Sequence, residues 1–328
     1  MNMNKWAEDI LASPKIPAIP IMTHPGIEMI GKKVIDAVKD GQVHADAIIA
    51  LDKKYPSAAP TVIMDLTVEA EAFGAQIEFT EDDVPNVIGR LVSSREQVEA
   101  LVVPELSAGR VPEYIKANRI VAETISDKPS FAGCIGPYSL AGRLYDMTEI
   151  MMAIYTEPET ATMLLEKCTA FIKKYIAEIK RSGVAGVIIA EPAAGLLSNE
   201  DATTYSSKYI KEIVDELQSE DFMIVLHNCG NTGHCTESMV VTGAKALHFG
   251  NKIDLKGVFA QVPEDVIVMG NLDPVSIFKL ATPQEVAQAT RDLLDSCGEH
   301  KNFVISTGCD TPPDLPEENI IAFYSQIK

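Results

Sequence analysis

The 328-residue chain predicts an α/β fold of the (β/α)8 TIM-barrel class, read as one domain over 1–328 with an N-terminal helical extension. Three observations carry that expectation. Eight short β-branched runs alternate with longer helical patterns. Most of the runs are almost continuously apolar, as parallel strands covered by helices must be. Polar or metal-seeking residues follow nearly every run, and the C-terminal ends of barrel strands are where such a fold places its active site. A doubly wound sheet is the competing architecture, and no Gly-x-Gly-x-x-Gly follows the first run to support it. No repeat, low-complexity tract or Gly/Ser linker divides the chain.

In chain order, the first run (PAIPIMT, 17–23) ends at His24, and a helix is expected over 30–41. The second run (PTVIMDL, 60–66) carries Asp65 at its end and precedes a helical pattern over 94–102. The third (SFAGCIG, 130–136) leads into Pro137, and the long amphipathic pattern 158–183 is closed by Gly183. The fourth (AGVIIAE, 185–191) delivers Glu191 and Pro192 before a helix over 198–217, which Ser198 or Asn199 can cap. The fifth (FMIVLHN, 222–228) presents His227 and then Cys229. The sixth (KALHF, 245–249), the weakest, precedes Asn251, and the seventh (DVIVMGN, 265–271) ends at Asn271, with Asp273 just beyond. Thr282 and Pro283 open a helix over 282–298 that Gly298 closes. The eighth run (NFVISTG, 302–308) precedes Cys309 and Asp310, and a last helix starts at Pro316 with Glu317 and Glu318 in its first turn.

Composition narrows the function. Lys plus Arg number 28 and Asp plus Glu 47, so the formal charge is 28 − 47 = −19. Nucleic acids and anionic membrane surfaces both require a basic face, and none appears. The most apolar stretch, 184–197, is cut by Glu191 and Pro192, so no membrane span is expected. The N-terminal segment lacks the apolar core of a signal peptide, which points to the cytoplasm. There, six cysteines read as reduced thiols or metal ligands rather than a disulfide framework.

The segment VLHNCGNTGHC (225–235) carries the chemistry. His227 and Cys229 are two apart at the end of a strand, so both side chains can face one metal. Cys309, just past another strand, is a third soft ligand at the same barrel mouth. One His and two thiolates leave Zn2+ a single open position, the pattern of a catalytic site. Two other readings stay open: buried thiols as ordinary core residues, and a local site made by His227, Cys229, His234 and Cys235. Cys134, Cys168 and Cys297 read as core or helix-face residues, and His44 and His300 as solvent-side.

Together, HNCGN (227–231), MGNLDP (269–274), STGCDTPPDLPEENI (306–320), MDLTVEAEAFG (64–74) and FAGCIGPYSLAGRLY (131–145) resemble the uroporphyrinogen decarboxylase superfamily, over about Pro17 to Ile327. The H-x-C…C arrangement is similar to its zinc-dependent branch, the corrinoid methyltransferases of the methylcobalamin:coenzyme M type. That resemblance implies zinc held by His227, Cys229 and Cys309, and transfer of a methyl group from a methyl-Co(III) corrinoid to a thiol. No D-x-H-x-x-G corrinoid-binding signature occurs, so the cofactor is expected on a separate corrinoid protein. The acceptor is left open between coenzyme M, another thiol and tetrahydrofolate. His24, Asp65, Glu191, Asn271, Asp273 and Asp310 are the expected substrate-binding residues. Asp65 matches an aspartate of the decarboxylases and reads equally as a helix cap.

The decarboxylase is the main alternative activity, and a non-catalytic zinc- or corrinoid-binding subunit is another. Decarboxylases carry an arginine-rich stretch after the first strand for the carboxylates of a tetrapyrrole. Here that stretch is THPGIEMIGKK (23–33), without arginine. Two departures from the methyltransferase branch matter. The branch often supplies a carboxylate after the next strand for the fourth zinc position, where ALHFGNKID (246–254) offers Asn251 and Asp254 but no glutamate, which leaves that position open to water, Asp254 or another group. GCD also replaces the GCG of many relatives beside the ligand thiol.

Overall fold

The computed structural model describes residues 1–327. Six parallel strands lie in sequence order: β3 (Phe131–Ile135), β4 (Gly186–Ala190), β5 (Met223–Asn228), β6 (Ala246–Phe249), β7 (Ile267–Leu272) and β8 (Phe303–Thr307). Each falls within one or two residues of its expected run, including the weak sixth. β1 (Gln76–Glu78) and β2 (Asn86–Ile88) form a separate antiparallel hairpin that the hydrophobic pattern does not signal.

Segments 17–23 and 60–66 complete the barrel, but as extended chain rather than full strands. Ala18 bridges Ile305 of β8, and Thr61 bridges Phe131 of β3, both in parallel. The sequence supplies the reason. Pro17, Pro20 and Pro60 have no N–H to donate, so a regular ladder cannot form around them. The seam is held by the bonds that remain: Ile19 N to Ile305 O, Ile305 N to Pro17 O and Phe131 N to Pro60 O, each 3.0 Å. Between the two segments, Thr23 Oγ1 donates to Thr61 O at 3.2 Å, a side chain standing in for a ladder bond.

Inside the barrel, Ile19, Ile21, Phe131, Ile188, Met223, Val225, Ile267, Met269 and Val304 form one apolar cluster. The N-terminal extension is the helix Met3–Leu11, capped by Asn2, and it lays Met3, Trp6 and Ile10 onto that cluster. Several strands contribute their first residues there, so the helix closes the N-terminal end. On the outside, the helix Pro158–Arg181 buries Leu164, Leu165, Phe171, Ile172, Tyr175, Ile176 and Ile179 along one face. That spacing of three and four is what the amphipathic pattern requires. Ser198 and Thr282 cap their helices as expected, Thr282 in a reciprocal capping box with Glu285, and the last helix, Glu317–Tyr324, starts after Pro316. Cys134, Cys168 and Cys297 are buried core residues.

Three local expectations are corrected. The helix expected over 30–41 is only Val34–Lys39, because Asp40 is extended and its carboxylate accepts from Gln42 N, opening a new helix Gly41–Lys54. A Cβ at position 41 would collide with the backbone of Glu113 in the helix Val111–Thr124, so only glycine permits that approach. The pattern over 198–217 is interrupted by a π-helical turn at Thr203–Ser207. His44 is buried rather than solvent-side: its Nε2 accepts from Ile63 N at 3.2 Å, and Tyr114 meets its ring edge-on. Burial holds its pKa down at about 4. His300 is exposed and stacks on Phe259. No helix among the described residues is long and apolar enough to cross a membrane.

Candidate metal centre

His227 is the fifth residue of β5 and pairs in register with His248 of β6. Its inward direction follows from the alternation that also sends Met223 and Val225 into the barrel. Cys229 lies in the turn after β5, and Cys309 in the turn after β8. Gly250, directly after β6, makes room for the first of these turns, since a Cβ there would stand 2.6 Å from Cys229 Cα.

One nitrogen of His227 and the two sulfurs lie within 4.8 Å of one another, the only such metal-compatible group of three among the described residues. His227 Nε2 is 3.7 Å from Cys309 Sγ. The two thiols are neighbours. The Cys309 thiol pulls Cys229 below the ordinary thiol range, while Cys229 and burial push Cys309 well above it. One thiol of the pair is therefore primed to ionise, as a metal ligand must. A nitrogen and two sulfurs form a soft donor set that suits zinc, and they leave part of a tetrahedral shell open.

The other nitrogen of His227 is engaged as well. Its Nδ1 lies 2.7 Å from His248 Nδ1, His248 Nε2 lies 2.9 Å from Ser306 Oγ, and Ser306 donates to Ile19 O at 2.7 Å. Neither His248 nor Ser306 was singled out by motif or spacing. The available signal is the polar residues inside two buried apolar runs, His248 in ALHF and Ser306 with Thr307 in FVIST.

A cavity of about 280 Å3 opens beside the three donors, and His24 and Asp310 line it together with His227, Cys229 and Cys309. His24 Nδ1 stands 3.9 Å from Asp310 Oδ1. Asp310 Oδ2 accepts from Met64 N at 3.1 Å, but Asp310 Oδ1 and both ring nitrogens of His24 are buried without a hydrogen-bond partner among the described residues. Burial raises the Asp310 pKa. A second cavity of about 440 Å3 shares Leu66 and Pro192 with the first.

The remaining expected substrate-binding residues lie elsewhere. Asp65 accepts from Thr67 N and Oγ1, from Tyr114 Oη at 2.7 Å and from the Arg110 guanidinium, so its lone pairs are taken within the protein. The N-cap residue of the following helix, Val68–Phe73, is Thr67, which Asp65 ties down from outside the helix. Glu191 accepts from Tyr138 N at 3.0 Å and Ser139 N at 2.6 Å, anchoring the start of the helix Pro137–Tyr145. Burial pushes its pKa up to about 7 against those bonds. Asn271 donates to Gly250 O and Ile253 O, and Asp273 accepts from Val275 N, Ser276 N and Asn251 Nδ2. These residues shape the loops around the mouth. Asp254, one candidate for a fourth ligand, caps the helix Leu255–Phe259 through Lys256 N. The local four-residue site also fails: His234 contacts Leu197 O at 3.0 Å, and Cys235 Sγ donates to the same carbonyl at 3.4 Å.

Comparison with known proteins fits this geometry. The chain is 32% identical over 267 residues to the methylcobamide:CoM methyltransferase of Methanosarcina acetivorans, spanning 80% of this chain and 77% of that protein. It is 26% identical over 294 residues to a uroporphyrinogen decarboxylase of Legionella pneumophila, spanning 87% of this chain and 82% of the relative. A solved methyltransferase from Methanosarcina mazei superimposes with a TM-score of 0.86 at 21% identity, covering 97% of this chain and 96% of the other, which establishes the shared barrel. Residues 12–328 match the family model described as uroporphyrinogen decarboxylase (URO-D), and the chain belongs to that family.

Proposed function

We propose that the protein is a zinc-dependent methyltransferase that moves a methyl group from a methyl-Co(III) corrinoid, carried by a separate corrinoid protein, to a thiol such as coenzyme M. The observation that carries this reading is the convergence of His227 Nε2 and the thiols of Cys229 and Cys309 at the barrel mouth. A decarboxylation of tetrapyrrole carboxylates has no use for such a donor set. The two most telling features of that rival are also weak here. Asp65 has no lone pair left for a substrate N–H, and the cavity beside the thiols has no arginine in its lining.

His227, Cys229 and Cys309 would hold the zinc. When bound, the ion supplies a positive charge that makes a thiol acidic at neutral pH, so that no strong base is needed. The chain's own groups do the rest. The barrel mouth fixes the direction from which the methyl donor can approach, which is the entropic part of catalysis. His24 and Asp310, which line the same cavity and carry buried polar atoms without partners, receive the polar end of the acceptor. In balance, the thiol loses its proton and gains the methyl group as a thioether, and the methyl-Co(III) corrinoid leaves as Co(I). The reading places the enzyme in the cytoplasm as a single domain over 1–328.

The test combines metal analysis of purified protein with a methylcobalamin demethylation assay over a panel of thiols and tetrahydrofolate. Zinc near one per chain with thiol-dependent loss of the methylcobalamin spectrum is the expected result. Protein without zinc that removes carboxylates from uroporphyrinogen would replace this reading with the decarboxylase. Zinc without turnover on any acceptor would leave a binding subunit.

A further inference from the structure

Behind the metal-binding face of His227 lies a line of polar atoms that methyl transfer does not itself require. It runs from His227 Nδ1 to His248 Nδ1 at 2.7 Å, from His248 Nε2 to Ser306 Oγ at 2.9 Å, and from Ser306 Oγ to Ile19 O at 2.7 Å. All three side chains are buried, at 2%, 0% and 0% exposure, so solvent cannot complete their hydrogen bonding. The line crosses the barrel interior from β5 through β6 to β8 and ends on the segment that closes the barrel.

The proton positions along it follow from what each group can do. The Ile19 carbonyl can only accept, so the Ser306 hydroxyl spends its one proton there. Ser306 Oγ must then accept from His248, which places a proton on His248 Nε2. If His248 also carried a proton on Nδ1 it would be a fully buried cation with no carboxylate among its hydrogen-bond partners, an expensive arrangement. His248 Nδ1 is therefore a bare acceptor, and the proton between the two rings belongs to His227 Nδ1. With Nδ1 protonated, the neutral ring of His227 has its lone pair on Nε2, the nitrogen that faces Cys309.

We propose that His248, oriented by Ser306 and the Ile19 carbonyl, is a positioning residue that locks His227 in the Nδ1–H tautomer and so presents a bare Nε2 toward Cys229 and Cys309. A ligand histidine ordinarily gives its second N–H to a carboxylate, carbonyl or water. Here another histidine takes that part, and a hydroxyl and a main-chain carbonyl on the opposite side of the barrel fix its own tautomer. The function of the lock rests on the metal-site reading above, whereas the tautomer itself is a property of the metal-free chain. The closure of the barrel and the readiness of the ligand are thereby joined: any slip of segment 17–23 against β8 would free Ser306 and, through it, both rings.

The experiment is long-range 1H–15N correlation spectroscopy of metal-free protein labelled with 15N-histidine, followed by zinc titration with a chromophoric competitor. The wild-type protein should show His227 protonated at Nδ1 and bare at Nε2, and His248 with the opposite pattern. His248→Leu should leave His227 a mixture of tautomers and weaken zinc binding by about 10–100-fold. His248→Asn, whose amide oxygen can accept where Nδ1 did, should restore most of both. Should the leucine variant not fold, Ser306→Ala carries the same expectation in milder form, since it removes the acceptor for His248 Nε2–H. A wild-type His227 protonated at Nε2, or a folded leucine variant with unchanged tautomer and zinc affinity, would overturn the proposal. Failure of the methyltransferase reading looks different: the lock would be present in the spectrum, but no thiol would be methylated.

Discussion

Two buried polar clusters of the barrel contrast in composition. Around Asp65, the carboxylate and the groups that meet it are paired: Arg110 reaches Asp65, Glu71 and Thr67, and Tyr114 donates to the same Asp65 carboxylate. Around His227, Cys229 and Cys309 the inventory is incomplete, with neighbouring His24 and Asp310 atoms left without partners. Both regions pay for burying polarity, but the Asp65–Arg110–Tyr114 set recovers it within the chain. Satisfied clusters rigidify a fold, whereas convergent unsatisfied donors mark the place where something from outside completes the set. Similar polarity at similar depth thus separates scaffold from site once the hydrogen bonds are traced.

That contrast can be broken from either side. The largest effect should come from Cys309→Ala or Cys229→Ala. Each should abolish stoichiometric zinc and lower methylcobalamin demethylation by more than the roughly 10–100-fold typical of outer-shell partners. The melting temperature of the metal-free protein should move little. Retention of both zinc and activity in Cys309→Ala would show that the wrong ligands have been chosen. Asp65→Ala should do the reverse. It leaves the buried Arg110 without its principal counter-charge and should destabilise by about 3–5 kcal/mol in urea unfolding. Zinc bound per folded chain should be unchanged.

A pH experiment sharpens the scaffold side. Glu69 is buried beside the Asp65 cluster, its Oε1 accepts from Ile135 N at 3.0 Å, and burial pushes its pKa up to about 8 from the model-compound value of 4.5. The folded state therefore binds more protons than the unfolded state between those values. Its contribution to stability is full below the unfolded pKa and falls as pH rises through the folded one. Glu69→Gln removes that slope, and the variant should gain on the wild type by on the order of 2–4 kcal/mol between about pH 5 and 8. A difference that stays flat with pH would mean Glu69 is not neutral in the folded protein. The smallest effect is expected at Asp273→Ala, which frees Val275 N, Ser276 N and Asn251 at an exposed loop and should cost about 1 kcal/mol without altering zinc.

Much of this arrangement is legible in the sequence because parallel strands must be apolar on both faces and a metal ligand must interrupt them at the rim. Six strands, the long helix Pro158–Arg181 and the three donors emerge from those two rules. The first two barrel segments are harder, since their prolines permit extended chain while denying it a ladder. Asp65, Glu191, Asn271 and Asp273 look like pocket residues for a different reason: a carboxylate or amide at a strand end is equally useful for tying down the following loop. Only partner tracing separates the uses, and the hydrogen bonds found for all four run to groups within the chain. His248 has no signal in local spacing, because its partners lie on β5 and β8 and are brought together by closure of the barrel.

The helix Met3–Leu11, seated on the N-terminal end of the barrel, makes the interior a cul-de-sac. On the methyltransferase reading proposed above, a two-substrate reaction at the rim has one doorway for both partners, so a small acceptor would enter before a corrinoid protein covers it and the thioether would depart after that protein lifts away.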